Sequence, residues 1–339
     1  MLKVNGLIAL KKTGFWKIIV YVLNFWVDVV WRLTLGLKPT LLYMLYVKRA
    51  KDNKLKSDGL KIVRSSPHFV KFSEWLVENI SKDLILSETK KMKSEETLTN
   101  FTTDLLPYLD TQTKLAIVKF ALEDKNIEPV CEYLKFVPRL ESISLMLNIP
   151  TGNDAIGSQR WHRDWFNYKG MNIFTALTDV DAETGIYSAI GLDTISRRSE
   201  IPVYDNDPSV HLYDRNRISD ASLLEFTGKE SIEYLEGPPG TTAFVDSGWV
   251  YHKGGHLKRG YRLMLQIAYR AEERPAVSTP INILQQLGLV GNGEMESILN
   301  DSVRRYMVGG GSKSYKIGSL FHWWSRHLTY YKEKTENVI

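Results

Sequence analysis

Residues 141–149 alternate without a break. Ile143, Leu145, Leu147 and Ile149 fall on one side, and Ser142, Ser144, Met146 and Asn148 on the other. Only an extended chain puts every second residue on one face, so this stretch predicts a half-buried strand. Segments 172–180, 241–246 and 262–269 repeat the type. Turn formers separate them, including Gly152-Asn153-Asp154 and Gly237-Pro238-Pro239-Gly240. Several short strands with such turns predict a sandwich or jelly-roll barrel over residues 140–270.

The flanks have a different period. Phe69, Phe72, Leu76 and Ile80 form one helical stripe, and Leu115, Val118, Lys119 and Leu122 begin another. Residues 82–96 read as a solvated, mixed-charge stretch. Beyond Pro275 the pattern returns to helices, with a mobile loop expected at Gly309-Gly310-Gly311-Ser312 and an aromatic tail carrying Phe321, Trp323, Trp324, Tyr330 and Tyr331. The expected organisation is α+β: a helical N-terminal region (1–139), a β-rich core (140–270) and a helical C-terminal extension (271–339).

The net charge of +5 is unevenly placed. Residues 1–50 hold eight basic side chains and one acid, which gives +7 and leaves −2 for the other 289 residues. A nucleic-acid groove would want basic residues spread along a face with stacking aromatics, and no such pattern occurs. Within 1–50, Ile18, Tyr21, Val22, Phe25, Val29 and Leu33 fall at helical spacing. The longest uncharged run there is ten residues, 18–27, against the ~20 that a spanning helix needs. No cleavable signal pattern follows the first apolar run. Two placements stay open: a helix buried against the rest of the protein, or one lying on anionic lipid with Trp16, Trp26 and Trp31 at the boundary. The single cysteine, Cys131, excludes an intramolecular disulfide and a cysteine-based zinc site. It points to a reducing compartment and a packing role. The expected location is therefore cytoplasmic, with a peripheral membrane contact as the alternative for 1–50.

Chemistry concentrates in two stretches of the β-rich middle. The first reads Gln159-Arg160-Trp161-His162-Arg163-Asp164. In an extended segment residues i and i+2 share a side, so His162 and Asp164 present an imidazole and a carboxylate to one ion while Arg163 points away. A further histidine would complete a two-histidine, one-carboxylate face, which suits non-haem iron(II) and leaves coordination positions open. The second stretch supplies two candidates, His252 and, four residues on, His256. A strand then begins at Arg262, which shares a face with Met264, Gln266 and Ala268 rather than with Leu263, Leu265 and Ile267. An arginine there suits the gripping of a carboxylate, because a guanidinium donates two parallel hydrogen bonds. His68, His211, His322 and His327 have no partner pattern and read as surface or packing residues.

The order H-x-D, distal histidine, then arginine ten residues later resembles the phytanoyl-CoA dioxygenase-like family of iron(II)/2-oxoglutarate-dependent oxygenases. Gln159-x-Trp161-His162-Arg163-Asp164 is similar to that family's Q-x-W-H-x-D. Leu177-Thr178-Asp179-Val180 with Glu183 and Gly185 looks like its strand and turn, and His252-x-Gly254-Gly255 like its H-x-G-G. The match spans 140–270 and implies a double-stranded β-helix (jelly-roll, cupin-like) core. It implies iron(II) on His162, Asp164 and His252, with Arg262 holding the distal carboxylate of 2-oxoglutarate, and O₂ as the second cosubstrate. The implied activity is a dioxygenase that hydroxylates a C–H bond of a small molecule, lipid or saccharide-linked substrate. The alternative is a non-catalytic jelly-roll binding protein with a relic metal site. Segment 185–194 departs from the family, lacking both prolines and the Ser-His of its G-P-x-x-x-x-P-G-S-H pattern, so the resemblance carries no particular substrate.

Overall fold

In chain order the elements of the computed structural model are β1 (Leu60–Val63), α1 (Pro67–Glu78), α2 (Lys82–Ser94), β2 (Thr102–Asp104), α3 (Thr111–Ala121) and α4 (Asp124–Leu134). The β-rich half follows with β3 (Arg139–Asn148), β4 (Gly170–Ala176), β5 (Tyr187–Ile190), α5 (Asp220–Thr227), β6 (Glu233–Leu235), β7 (Thr242–Val245), β8 (Tyr251–Lys253) and β9 (Arg262–Arg270). Three short helices close the described chain: α6 (Ile283–Gln286), α7 (Gly293–Ile298) and α8 (Ser302–Val308). The structure describes residues 59–94, 101–134, 136–150, 155, 157–164, 170–191, 217–228, 231–270 and 283–308. The expectations placed on 1–50, on the 152–154 turn, on His211, His322 and His327, and on the tail from 309 lie outside them.

Six strands form one sheet in the order β1-β7-β4-β9-β3-β2, and three form a second in the order β6-β5-β8. Every pairing is antiparallel. The alternation at 141–149 becomes β3, which lies along β9 with Leu145 opposite Leu265, Met146 opposite Met264 and Asn148 opposite Arg262. The register assigns the two faces. Leu145, Leu147, Ile173, Leu265 and Ile267 join Phe69, Leu76, Leu115 and Ile117 of the helices in one core. Met264, Phe174 and Val245, on the opposite face of the large sheet, pack with Tyr187, Ala189 and Leu235 of the small one. The arrangement is a helical layer, a six-stranded sheet and a three-stranded sheet, with an apolar interior on either side of the large sheet. Each fully buried Leu or Ile contributes about 1.5–3 kcal/mol to it.

Some expectations change. The 1–139 region, read as helical, also supplies β1 and β2, which close opposite edges of the large sheet. They are four and three residues long, too short to display a period of two. Residues 82–96, read as a solvated stretch, contain helix α2, which buries Ile85 and Met92. Those two residues lie seven apart, two helical turns, and so share one narrow face. The strand expected over 172–180 stops at Ala176. Beyond it Asp181 Oδ1 accepts from the backbone N–H groups of Glu183 and Thr184, folding the chain into a turn. Cys131 is buried in the helical core, and burial pushes its thiol up. Among the described residues no helix is long and apolar enough to cross a membrane.

Candidate metal centre

The site forms where segment 157–164 meets the free edge of β8. After one 3₁₀ turn, Gly157–Gln159, the chain runs extended through Trp161 and His162. His162 and His252 then pair as an antiparallel bridge, each backbone N–H donating to the other's carbonyl at 2.9 Å. Residues directly opposite across such a bridge project to the same side. The two imidazoles are therefore brought together, with ring centroids 4.3 Å apart.

Each ring is also turned by its own backbone. His162 Nδ1 lies 2.8 Å from the carbonyl of Arg160, and His252 Nδ1 lies 3.0 Å from that of Val250. A carbonyl oxygen only accepts, so both Nδ1 atoms carry the hydrogen and both Nε2 atoms are left for a ligand. Those Nε2 atoms face Asp164, whose Oδ1 is 3.7 Å from one and 3.8 Å from the other. The Asp164 backbone N–H donates to Ser247 O at 2.8 Å, and Ser247 Oγ accepts from Asn172 on β4 at 2.8 Å, so the acid is tied to the large sheet. Arg163 takes the other face, its guanidinium 4.9 Å above the Tyr251 ring.

The histidine side chains are nearly closed to solvent, at 6% and 5% exposed, whereas that of Asp164 is 27% exposed, so the triad opens on the side of its acid. Burial, followed by the neighbouring His252 and Arg217, holds His162 well below its ordinary value, which leaves it the neutral base that ligates metals. The three ligand atoms lie within 4.8 Å of one another, yet the acid stands beyond hydrogen-bond distance of both rings. Two imidazole nitrogens and a carboxylate oxygen thus converge without a hydrogen bond between the acid and either ring. A cation completes such a set, and two histidines with one carboxylate suit a mononuclear metal ion with open coordination positions.

Arg262 is buried at the head of β9. Its Nη1 donates to the carbonyls of Gly185 and Gly254, while Nε and Nη2 donate to Asn148 Oδ1 at 3.3 and 3.1 Å. Its described partners are therefore neutral oxygens, and burial brings the guanidinium down to about 10. His256 stands outside the metal-capable group, which is completed by His252. The bend between the two histidines is tight: Gly255 has φ +74°, and a Cβ there would meet the Ile186 carbonyl at 2.3 Å. His68 stacks on Phe120, with centroids 4.8 Å apart, and acts as a packing residue.

Sequence reasoning assigned no role to several residues that shape the site. Trp161 Nε1 donates to Asp220 Oδ1 at 2.7 Å, and Lys253 Nζ reaches the same carboxylate at 2.6 and 2.8 Å. The neighbours of His162 and His252 are thereby tied to the start of α5. Asn148 was visible as the polar end of the alternating strand, but its pairing with Arg262 depends on register. Tyr187 lies in the segment that departs from the family pattern, where no motif marked it.

No protein-family model matches the chain, and no curated protein sequence matches it. Among solved structures, AviO1 from Streptomyces viridochromogenes Tue57 is 14% identical at a TM-score of 0.42, over 67% of this chain and 96% of that one. EctD from S. alaskensis, solved with 2-oxoglutarate and 5-hydroxyectoine, is 14% identical at a TM-score of 0.40, over 67% and 80%. HygX from Streptomyces hygroscopicus, with nickel, 2-oxoglutarate and hygromycin B bound, is 11% identical at 0.36, over 64% and 84%. These likenesses are distant.

Proposed function

We propose that this protein is a non-haem iron(II), 2-oxoglutarate-dependent oxygenase with a jelly-roll core, akin to the phytanoyl-CoA dioxygenase-like family, that hydroxylates a C–H bond of a small organic substrate. The observation that carries the proposal is the convergence of His162 Nε2, His252 Nε2 and Asp164 Oδ1 within 4.8 Å of one another, with the acid beyond hydrogen-bond distance of both rings. His162, His252 and Asp164 would hold the metal. When bound, iron(II) with 2-oxoglutarate supplies the activation of O₂, the keto acid leaving as succinate and CO₂ while one oxygen atom enters the C–H bond.

The chain's own residues do the rest. The reciprocal backbone bridge fixes the separation of the two imidazoles before any metal arrives, so little ordering is needed on binding. The Arg160 and Val250 carbonyls fix which nitrogen faces inward. Arg262 is a buried cation facing neutral partners, and a dicarboxylate gives it a counter-charge. Trp161 and Tyr251, nearly fully buried beside the histidines, keep water from that side of the site. The wetter Asp164 side is the proposed entry for substrate.

Anaerobic titration of the metal-free protein with iron(II), followed by assay of succinate release under O₂, tests the proposal. One iron per chain and oxygen-dependent succinate formation from 2-oxoglutarate are expected. Protein that takes up no iron(II) and turns over no 2-oxoglutarate with a mixture of lipid, amino-acid and sugar substrates would instead be a non-catalytic jelly-roll binding protein.

A further inference from the structure

Tyr187 stands on the inner face of the small sheet, and the reaction above gives it no task. Ala189, two residues on, lies opposite His252, so Tyr187 shares the face that carries the metal-facing imidazole. The same ladder leads to Arg262 at its other end. Gly185, two residues before Tyr187, and Gly254, two residues after His252, both lend their carbonyls to that guanidinium. The tyrosine therefore occupies the stretch of inner face between the triad and the buried cation.

Its ring is firmly seated. It stacks on His252, with centroids 5.7 Å apart and planes 24° apart, and packs on Phe174 at 4.8 Å. Val245, Val250 and Met264 make the surroundings apolar. The residue is 4% exposed, and its hydroxyl has no hydrogen-bond partner among the described residues. A phenol keeps its proton at neutral pH, so the oxygen is a donor. An unmet donor in such a place is rare and costly, and phenylalanine would fill the same space without that cost. The hydroxyl calls for an acceptor that none of the described residues provides.

We infer that Tyr187 is a second anchor for the dicarboxylate cosubstrate, its Oη–H donating to a carboxylate oxygen of 2-oxoglutarate held between the Asp164–His252 pair and Arg262. This rests on the proposed function, from which 2-oxoglutarate is taken. The pairing is chemically apt, because a neutral donor beside an anion strengthens binding without adding a charge that must be buried when the site is empty. It also places the specificity for the cosubstrate partly in segment 185–194, where this chain departs from the family.

Tyr187→Phe isolates the hydroxyl, because the ring and its stacking on His252 are retained. Two measurements on the full chain decide the matter: calorimetric titration of 2-oxoglutarate into nickel(II)-loaded protein, where no turnover intervenes, and thermal unfolding of metal-free protein. The variant is expected to bind 2-oxoglutarate about tenfold or more weakly, as befits loss of a hydrogen bond to a charged group. Its ligand-free Tm is expected to match or exceed that of the wild type. Equal affinities in the two proteins overturn the anchor and leave the proposed function standing. A clear fall in the ligand-free Tm also overturns it, since the hydroxyl would then have a partner in the protein. Wild-type protein that binds nickel(II) but no 2-oxoglutarate overturns the proposed function and the anchor together.

Discussion

Replacing Arg262 by lysine keeps the charge and removes the fork. Arg262 reaches the Gly185 and Gly254 carbonyls with Nη1 and Asn148 Oδ1 with Nε and Nη2. A lysine ammonium is a single nitrogen and cannot serve both ends while also holding a carboxylate. A hydrogen bond to a charged group contributes about 1.5–3 kcal/mol, and about 1.4 kcal/mol is a factor of ten. The loss of one arm therefore raises the Kd for 2-oxoglutarate roughly ten- to a hundredfold. Asn148 Oδ1, buried and left without its donor, lowers stability by a further amount on the order of 1–3 kcal/mol. Burial has already brought Arg262 to about 10, so the empty site holds a cation short of solvation, and a bound dicarboxylate relieves that cost. The rise in Tm on adding 2-oxoglutarate is accordingly expected to be larger in wild type than in Arg262→Lys. Calorimetry for the Kd and scanning fluorimetry for the Tm, both on nickel(II)-loaded protein, measure these effects. Metal affinity should hold, because the hydrogen bonds of Arg262 go to no triad atom. An unchanged Kd for 2-oxoglutarate, or a loss of metal binding in parallel with it, would refute the reasoning.

Other consequences follow from the same geometry. Asp164→Ala should abolish iron(II) uptake and succinate formation while shifting the unfolding free energy by no more than about 1 kcal/mol, since that side chain is partly exposed. In the same titration His256→Ala should bind iron(II) like wild type, because His256 stands outside the metal-capable group. Asp220→Ala removes an acceptor shared by buried Trp161 and by Lys253, and urea unfolding should report a loss of about 1–2 kcal/mol, mostly from the indole N–H left without its acceptor. Alkaline stability provides a test at a residue outside the triad. Burial holds Tyr269 well above its ordinary value of 10, and its hydroxyl donates to Ala121 O. The folded protein keeps this proton when the unfolded chain has lost it, so stability is full below pH 10 and falls as pH rises through and beyond that value. Tyr269→Phe should therefore flatten the decline by up to one proton, about 1.4 kcal/mol per pH unit. Unfolding curves between pH 9 and 11.5 that decline equally in both proteins would contradict this.

The strands that display two periods or more were legible because burial on one face writes itself into the order of residues. That is why β3 and β9 stand close to their expected bounds and the helical stripe beginning at Phe69 is α1. The shortest elements were not legible. A strand of three or four residues, such as β1, β2 or β8, samples too few positions to show a period, and it exists because a neighbour offers it a ladder of hydrogen bonds. His162 and Asp164 could be paired from spacing alone, since two residues of extended chain turn both side chains the same way. The choice of His252 over His256 could not be made so. It depends on a bridge between segments 90 residues apart, with Gly255 bending the chain away immediately afterwards. The sequence by itself thus determined which residue types could serve a metal and which strand face each occupies, because those follow from local backbone geometry. Only the tertiary structure decided that the two histidines face one another with the acid between, that Arg262 is answered among the described residues by neutral oxygens, and that the hydroxyl of Tyr187 finds no acceptor among them. These are properties of register and burial, and both are set by contacts between segments far apart in the chain.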